Sequence, residues 1–66
     1  MKIFLNGETV DCVEAATIAK LIQQHQLAPE TILVEHNGVA LHRRDWPVRL
    51  LRESDRIEIL RVAAGG

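Results

Sequence analysis

The chain has 66 residues, a length at which folding buries only about 60% of the unfolded surface, so it holds one small domain. Hydrophobic residues make up 47% of it, too many for a disordered segment, and a single cysteine, Cys12, gives no disulfide framework. Nine acids against eight bases leave a net charge of −1, without the basic excess of a nucleic-acid binder.

Lys2-Ile3-Phe4-Leu5 is a short β-prone run. Asn6-Gly7 follows it, a strong hairpin signal because both residues tolerate positive φ. Glu8-Thr9-Val10-Asp11-Cys12 then alternates polar and apolar, as a half-buried strand does. From Thr17 the period changes. Ile18, Leu21 and Ile22 fall at i, i+3 and i+4, which predicts one amphipathic helix with Thr17 as N-cap, ending near Gln26 before Ala28-Pro29. Ile32 to His36 reads as a third strand closed by Asn37-Gly38, and Val39-Ala40-Leu41 as a short fourth. After an irregular stretch from Arg43 to Leu51, Arg56 to Val62 makes a fifth.

One helix covers only one face of a sheet, so each strand sends alternate residues beneath it. The predicted core is Ile3, Leu5, Val10, Cys12, Ile32, Val34, Ile57 and Ile59, joined by Ile18, Leu21 and Ile22. An α+β domain follows, with a mixed sheet of four to five strands and one main helix on one face, over residues 1–62. The same parity turns Phe4, Leu33, Leu60 and Val62 outward, and a contiguous apolar patch of that kind marks a partner surface. No apolar run approaches the roughly 20 residues of a membrane span. With no export signal before the first strand, a cytoplasmic protein is expected.

Cys12, beside Val10 in parity, is read as an inert core residue rather than a persulfide carrier. His25, His36 and His42 have no metal-ligand spacing, and His25 suits a helix end. Trp46 is read as closing the bottom of the core, with a partner anchor as the alternative. Arg43 and Arg44 read as solvated surface. No Ser/His/Asp set, paired catalytic acids or phosphate-cradling loop is present. The sequence closes on Arg61-Val62-Ala63-Ala64-Gly65-Gly66, and a flexible tail over residues 63–66 is expected to end in a free carboxylate. Glycine is a poor way to finish a strand, yet it permits close backbone approach, and four extended residues reach at most about 13–14 Å. The tail is therefore either frayed or the working part.

Asn6-Gly7, Thr17-Ile18, Val34-Glu35-His36-Asn37-Gly38, Arg43-x-x-Trp46, Asp55-Arg56-Ile57-Glu58-Ile59 and Gly65-Gly66, in that order, resemble the ubiquitin-like β-grasp proteins. Among these the match is to the ThiS-type sulfur carriers of bacterial thiamine biosynthesis, over nearly the whole chain. Two positions depart from the family pattern. His42 stands where proline is common, and Ser54 stands where glycine enters the last strand, so this turn either takes another form or carries the strain of a non-glycine residue at positive φ, about 1 kcal/mol.

The resemblance implies a protein co-substrate rather than an enzyme, binding no cofactor of its own. A ThiF-type adenylating enzyme would use ATP to activate the Gly66 carboxylate. A persulfide derived from a cysteine desulfurase would convert the adenylate to a thiocarboxylate, and a ThiG-type thiazole synthase would take the sulfur. Ala63, Ala64 and Gly65 would lie in the partner's active site, while Phe4, Leu33, Leu60 and Val62 would meet its surface. Two other readings stay open: the small subunit of molybdopterin synthase, with the same chemistry and another acceptor, and a passive interaction module. An oligonucleotide-binding domain is disfavoured by the charge and by only two aromatics for base stacking.

Overall fold

Asn6 and Gly7 have φ of 49° and 84°, the left-handed pair of a type I′ turn, and they fold strand β1 (Lys2–Leu5) onto β2 (Glu8–Asp11) with Ile3 opposite Val10. Asn37 and Gly38, at 51° and 85°, do the same for β3 (Ile32–His36) and β4 (Val39–Leu41). The computed structural model of the chain describes residues 1–13 and 16–62. Its last strand, β5 (Arg56–Arg61), inserts between the two hairpins, parallel to β1 and antiparallel to β3. The order across the sheet is β2-β1-β5-β3-β4, so the strand nearest the end of the chain is the central one.

Helix α1 (Ile18–Gln24) buries Ile18, Leu21 and Ile22. The Thr17 hydroxyl oxygen accepts from the Lys20 N–H at 3.1 Å, so the N-cap is as the sequence implies. The helix stops two residues before the expected Gln26. Gln26 takes φ 56° and its N–H donates to Gln23 O, while the Leu27 N–H donates to Ile22 O. These two bonds form a Schellman cap with glutamine in the left-handed position where glycine is usual. His25 is the C-cap, at the helix end where it was expected.

The core holds Ile3, Cys12, Ile18, Leu21, Ile22, Ile32, Val34, Trp46 and Ile57 as predicted, with Ala16 and Leu51 in addition. Leu5, Val10 and Ile59 are only partly buried. A helix of seven residues is about 10 Å long and does not roof the full length of five strands. The irregular stretch fills part of the remainder. The Ile18 N–H donates to Arg49 O at 3.0 Å, Leu51 N–H to Ala16 O at 2.8 Å, and Ala19 N–H to Trp46 O at 3.1 Å. These bonds hold residues 46–51 against the start of α1. Trp46 is 4% exposed and belongs to the core, although its Nε1 finds no hydrogen-bond acceptor among the described residues. Among the described residues no helix is long and apolar enough to cross a membrane.

Candidate functional site

The site is built around β5, because β5 carries the chain toward its last residues. Arg56 and Val62 each bond to the strand beside them: the Asn37 N–H donates to Arg56 O at 2.8 Å, and the Val62 N–H to Thr31 O at 2.9 Å. Even-numbered residues of β5 therefore face β3 with their main chain, and odd-numbered residues face β1. On the β1 side, the Asn6 N–H donates to Ile57 O at 2.8 Å. Beyond Asn6 the chain turns away. The Asn6 side chain supplies the next rung itself: its Oδ1 accepts from the Ile59 N–H at 2.7 Å, and its Nδ2 donates to Ile59 O at 3.3 Å.

At the start of β5 the polar groups are more densely tied. His36 Nε2 lies 2.7 Å from Asp55 Oδ2, and both residues are 9% exposed. Asp55 also accepts from Asn37 Nδ2 at 3.0 Å and from the Arg52 N–H at 2.8 Å, while Asn37 Oδ1 accepts from the Arg56 N–H at 2.8 Å. Burial pushes the Asp55 carboxyl up, but the hydrogen bonds from Asn37, His36 and Arg52 outweigh it and hold the group below the usual carboxylate range. Ser54, in the turn that feeds this network, has φ 69°. The departure from glycine noted in the sequence thus leaves a non-glycine residue in the left-handed region.

The outward residues divide into two groups. Leu33 and Leu60 are directly opposite each other and half exposed, at 56% and 50%, with Val62 two residues further on. Phe4 is exposed on the same face but pairs with Arg56, four residues before Leu60, or about 13 Å along the strand. Glu35 and Glu58 lie opposite each other between the two groups. The partner face named from the sequence is therefore an apolar cluster near the end of β5, with Phe4 as an outlier.

Cys12 is buried, and burial raises its thiol pKa, partly countered by the N-terminal ammonium and reinforced by Asp11. A raised thiol holds less thiolate, the reactive form, in keeping with a core role. The three histidines stand apart. His25 caps α1, His36 meets Asp55, and His42 precedes a 3-10 turn at Arg43–Asp45. Among the described residues no three His, Cys, Asp or Glu side chains converge as a metal site would require. Sequence reasoning missed the Asn6 rung and the His36–Asp55 pair. The inward parity of His36 was a usable signal for the second, but nothing marked its partner. Ala63, Ala64, Gly65 and Gly66 lie outside the described residues.

The ThiS family model matches residues 3–66. A thiazole synthase from Magnetococcus marinus is 35% identical over all 66 residues, and the chain spans only 20% of that protein's length. The uncharacterized protein ycf40 of Porphyra purpurea is 27% identical, with 100% of this chain and 93% of that one covered. The crystal structure of the thiamine biosynthesis protein ThiS from Geobacter metallireducens superposes with a TM-score of 0.84 at 29% identity, each chain fully covered. The solution structure of a Geobacter metallireducens thiamine biosynthesis protein gives 0.80 at 30% identity, covering 100% of this chain and 88% of that one. The β-grasp fold expected from the sequence is the fold of these neighbours.

Proposed function

Since the chain belongs to the ThiS family, the sulfur carriers of thiamine biosynthesis, we propose that its Gly66 carboxylate is the group that is activated and loaded with sulfur. A carboxylate is a poor electrophile, because its charge repels nucleophiles and oxide is a poor leaving group. An adenylating partner would join Gly66 to AMP and release pyrophosphate from ATP. The terminal sulfur of a persulfide then attacks the acyl carbon, AMP departs, and an acyl disulfide forms. A second thiol attacks the distal sulfur, so that a disulfide and the Gly66 thiocarboxylate separate. The thiocarboxylate is a good nucleophile for delivery to a thiazole synthase.

The observation that supports this reading most is the position of β5. It is the central strand, held from both sides, and among the described residues Val62 is the last whose main chain bonds back to the body. Four residues follow, and fully extended they reach at most about 13–14 Å, enough to enter a partner's pocket while the folded body stays outside. Gly65 and Gly66 have no Cβ to widen the tail or restrict its dihedrals. The apolar cluster of Leu33, Leu60 and Val62 flanks the exit and suits a docked partner. That a protein named thiazole synthase contains a stretch 35% identical to this chain supports thiazole formation as the destination of the sulfur.

Intact mass spectrometry tests the proposal. The chain is incubated with its adenylating enzyme, ATP, a cysteine desulfurase and cysteine. Exchange of one oxygen for sulfur is expected, dependent on ATP and lost when Gly66 is deleted. An unchanged mass with all components present would contradict it.

A further inference from the structure

In a central strand each main-chain rung normally finds a partner on both sides. On its β3 flank β5 meets this rule as far as Val62, whose N–H donates to Thr31 O. On the β1 flank the rungs run out earlier. Asn6 leaves the sheet in a type I′ turn, its side chain fills the rung at Ile59, and the next rung belongs to Arg61. By the register with β3, the Arg61 N–H and C=O point into the space β1 has vacated, and neither has a partner among the described residues. A cleft of about 250 Å³ opens there, lined by Leu5, Asn6, His25, Leu27, Ile59 and Arg61. Two of those side chains are basic, and among the described residues neither lies within ion-pair distance of an acid.

We propose that this flank of β5 is a strand-addition site: an extended segment of the adenylating partner pairs with the Arg61 main chain and sets an acidic side chain between His25 and Arg61. The inference rests on reading the chain as a carrier whose tail is activated in trans. Three features select the occupant. A strand edge is complementary to another main chain, which offers a donor and an acceptor at the spacing of one rung. The two basic side chains call for an acid beside them. The open rung lies directly before the tail, so a segment bound there fixes the direction in which residues 63–66 leave. Asn6 determines where the added strand can begin, since it already occupies the preceding rung.

Arg61→Pro removes the open N–H and no bond within the sheet, so its melting temperature is expected to stay near that of the wild type. With the adenylating enzyme of the same organism, its KM in ATP–pyrophosphate exchange is expected to rise roughly five- to tenfold with kcat little changed. Arg61→Glu, which keeps the N–H but reverses the charge, is expected to raise KM as well, and Arg61→Lys to restore it. Hydrogen exchange gives a readout that does not depend on turnover: the Arg61 amide is expected to slow on adding the enzyme. Protection without ATP-dependent modification of Gly66 would leave strand addition standing and the sulfur-carrier reading refuted. Modification with an unprotected Arg61 amide and a normal KM for Arg61→Pro would overturn strand addition alone. Protection that appears in the isolated chain and grows with its concentration would assign the flank to a second copy and overturn the proposed occupant.

Discussion

The two ends of β5 are held by different means. At its entry Asp55 accepts from Asn37, the Arg52 N–H and the buried His36 ring, while Phe4 N–H donates to Asp55 O and Ile57 is wholly buried behind it. At its exit a single asparagine side chain replaces a strand on one flank, Arg61 has an open rung among the described residues, and Leu33, Leu60 and Val62 face outward. The fold concentrates its satisfied polar groups and its packing at the end remote from the tail. The end near the tail is left with unpaired main chain and apolar surface, the features that another protein can use. One strand of six residues is thus anchored at one end and open at the other.

The contrast is broken most severely at Ile57. Ile57→Ala empties a fully buried site and is expected to cost about 2–5 kcal/mol in a denaturant titration, whereas Leu60→Ala, half exposed, changes stability little. Equal losses at both positions would remove the distinction between the two ends.

Asp55 ranks next. Asp55→Ala leaves a buried histidine and two further donors without their acceptor and is expected to cost about 2–3 kcal/mol. The same residue makes the wild type acid-sensitive in a definite direction. Its carboxyl titrates below the usual range in the folded state, so the unfolded chain binds the proton more readily. Its contribution is therefore full above the ordinary aspartate pKa of about 3.9 and declines as pH falls through the lower folded value. Denaturation midpoints between neutral pH and strong acid are expected to fall more steeply below about pH 4 for the wild type than for Asp55→Asn.

A smaller effect is expected at the exit. Asn6→Gly keeps the left-handed turn and deletes only the side-chain rung, so a loss of about 1 kcal/mol isolates what the Asn6 amide contributes to Ile59. The smallest change is a gain. Ser54→Gly relieves the positive φ at the turn before β5 and is expected to raise stability by up to about 1 kcal/mol, read as a higher melting temperature.

Much of this was legible because local rules and tertiary demands agree. Both Asn-Gly pairs adopt the turn that their residue types favour, Thr17 caps the helix, and alternation along Ile3, Ile32, Val34 and Ile57 marks the core face. The resemblance also directed attention to Ser54, whose backbone conformation is the one a glycine would take. What escaped had no period to announce it. Ala16 and Leu51 enter the core from irregular segments, joined by a backbone bond between them at the start of α1. The Asn6 rung escaped for another reason: asparagine in a type I′ turn is fully explained by its φ, and its second role appears only once β5 lies beside it. Ile59 read as core by parity, yet a seven-residue helix does not reach far enough to cover it.

In the proposed function the body presents and the tail reacts. The most direct measurement compares the wild type with Gly65→Ala/Gly66→Ala, following melting temperature and the rate of ATP-dependent sulfur loading by intact mass. The account predicts an unchanged melting temperature and loading slowed by roughly a hundredfold, because a tail that no longer fits is misplaced at the reacting centre. Loading of the double variant at the wild-type rate would contradict it.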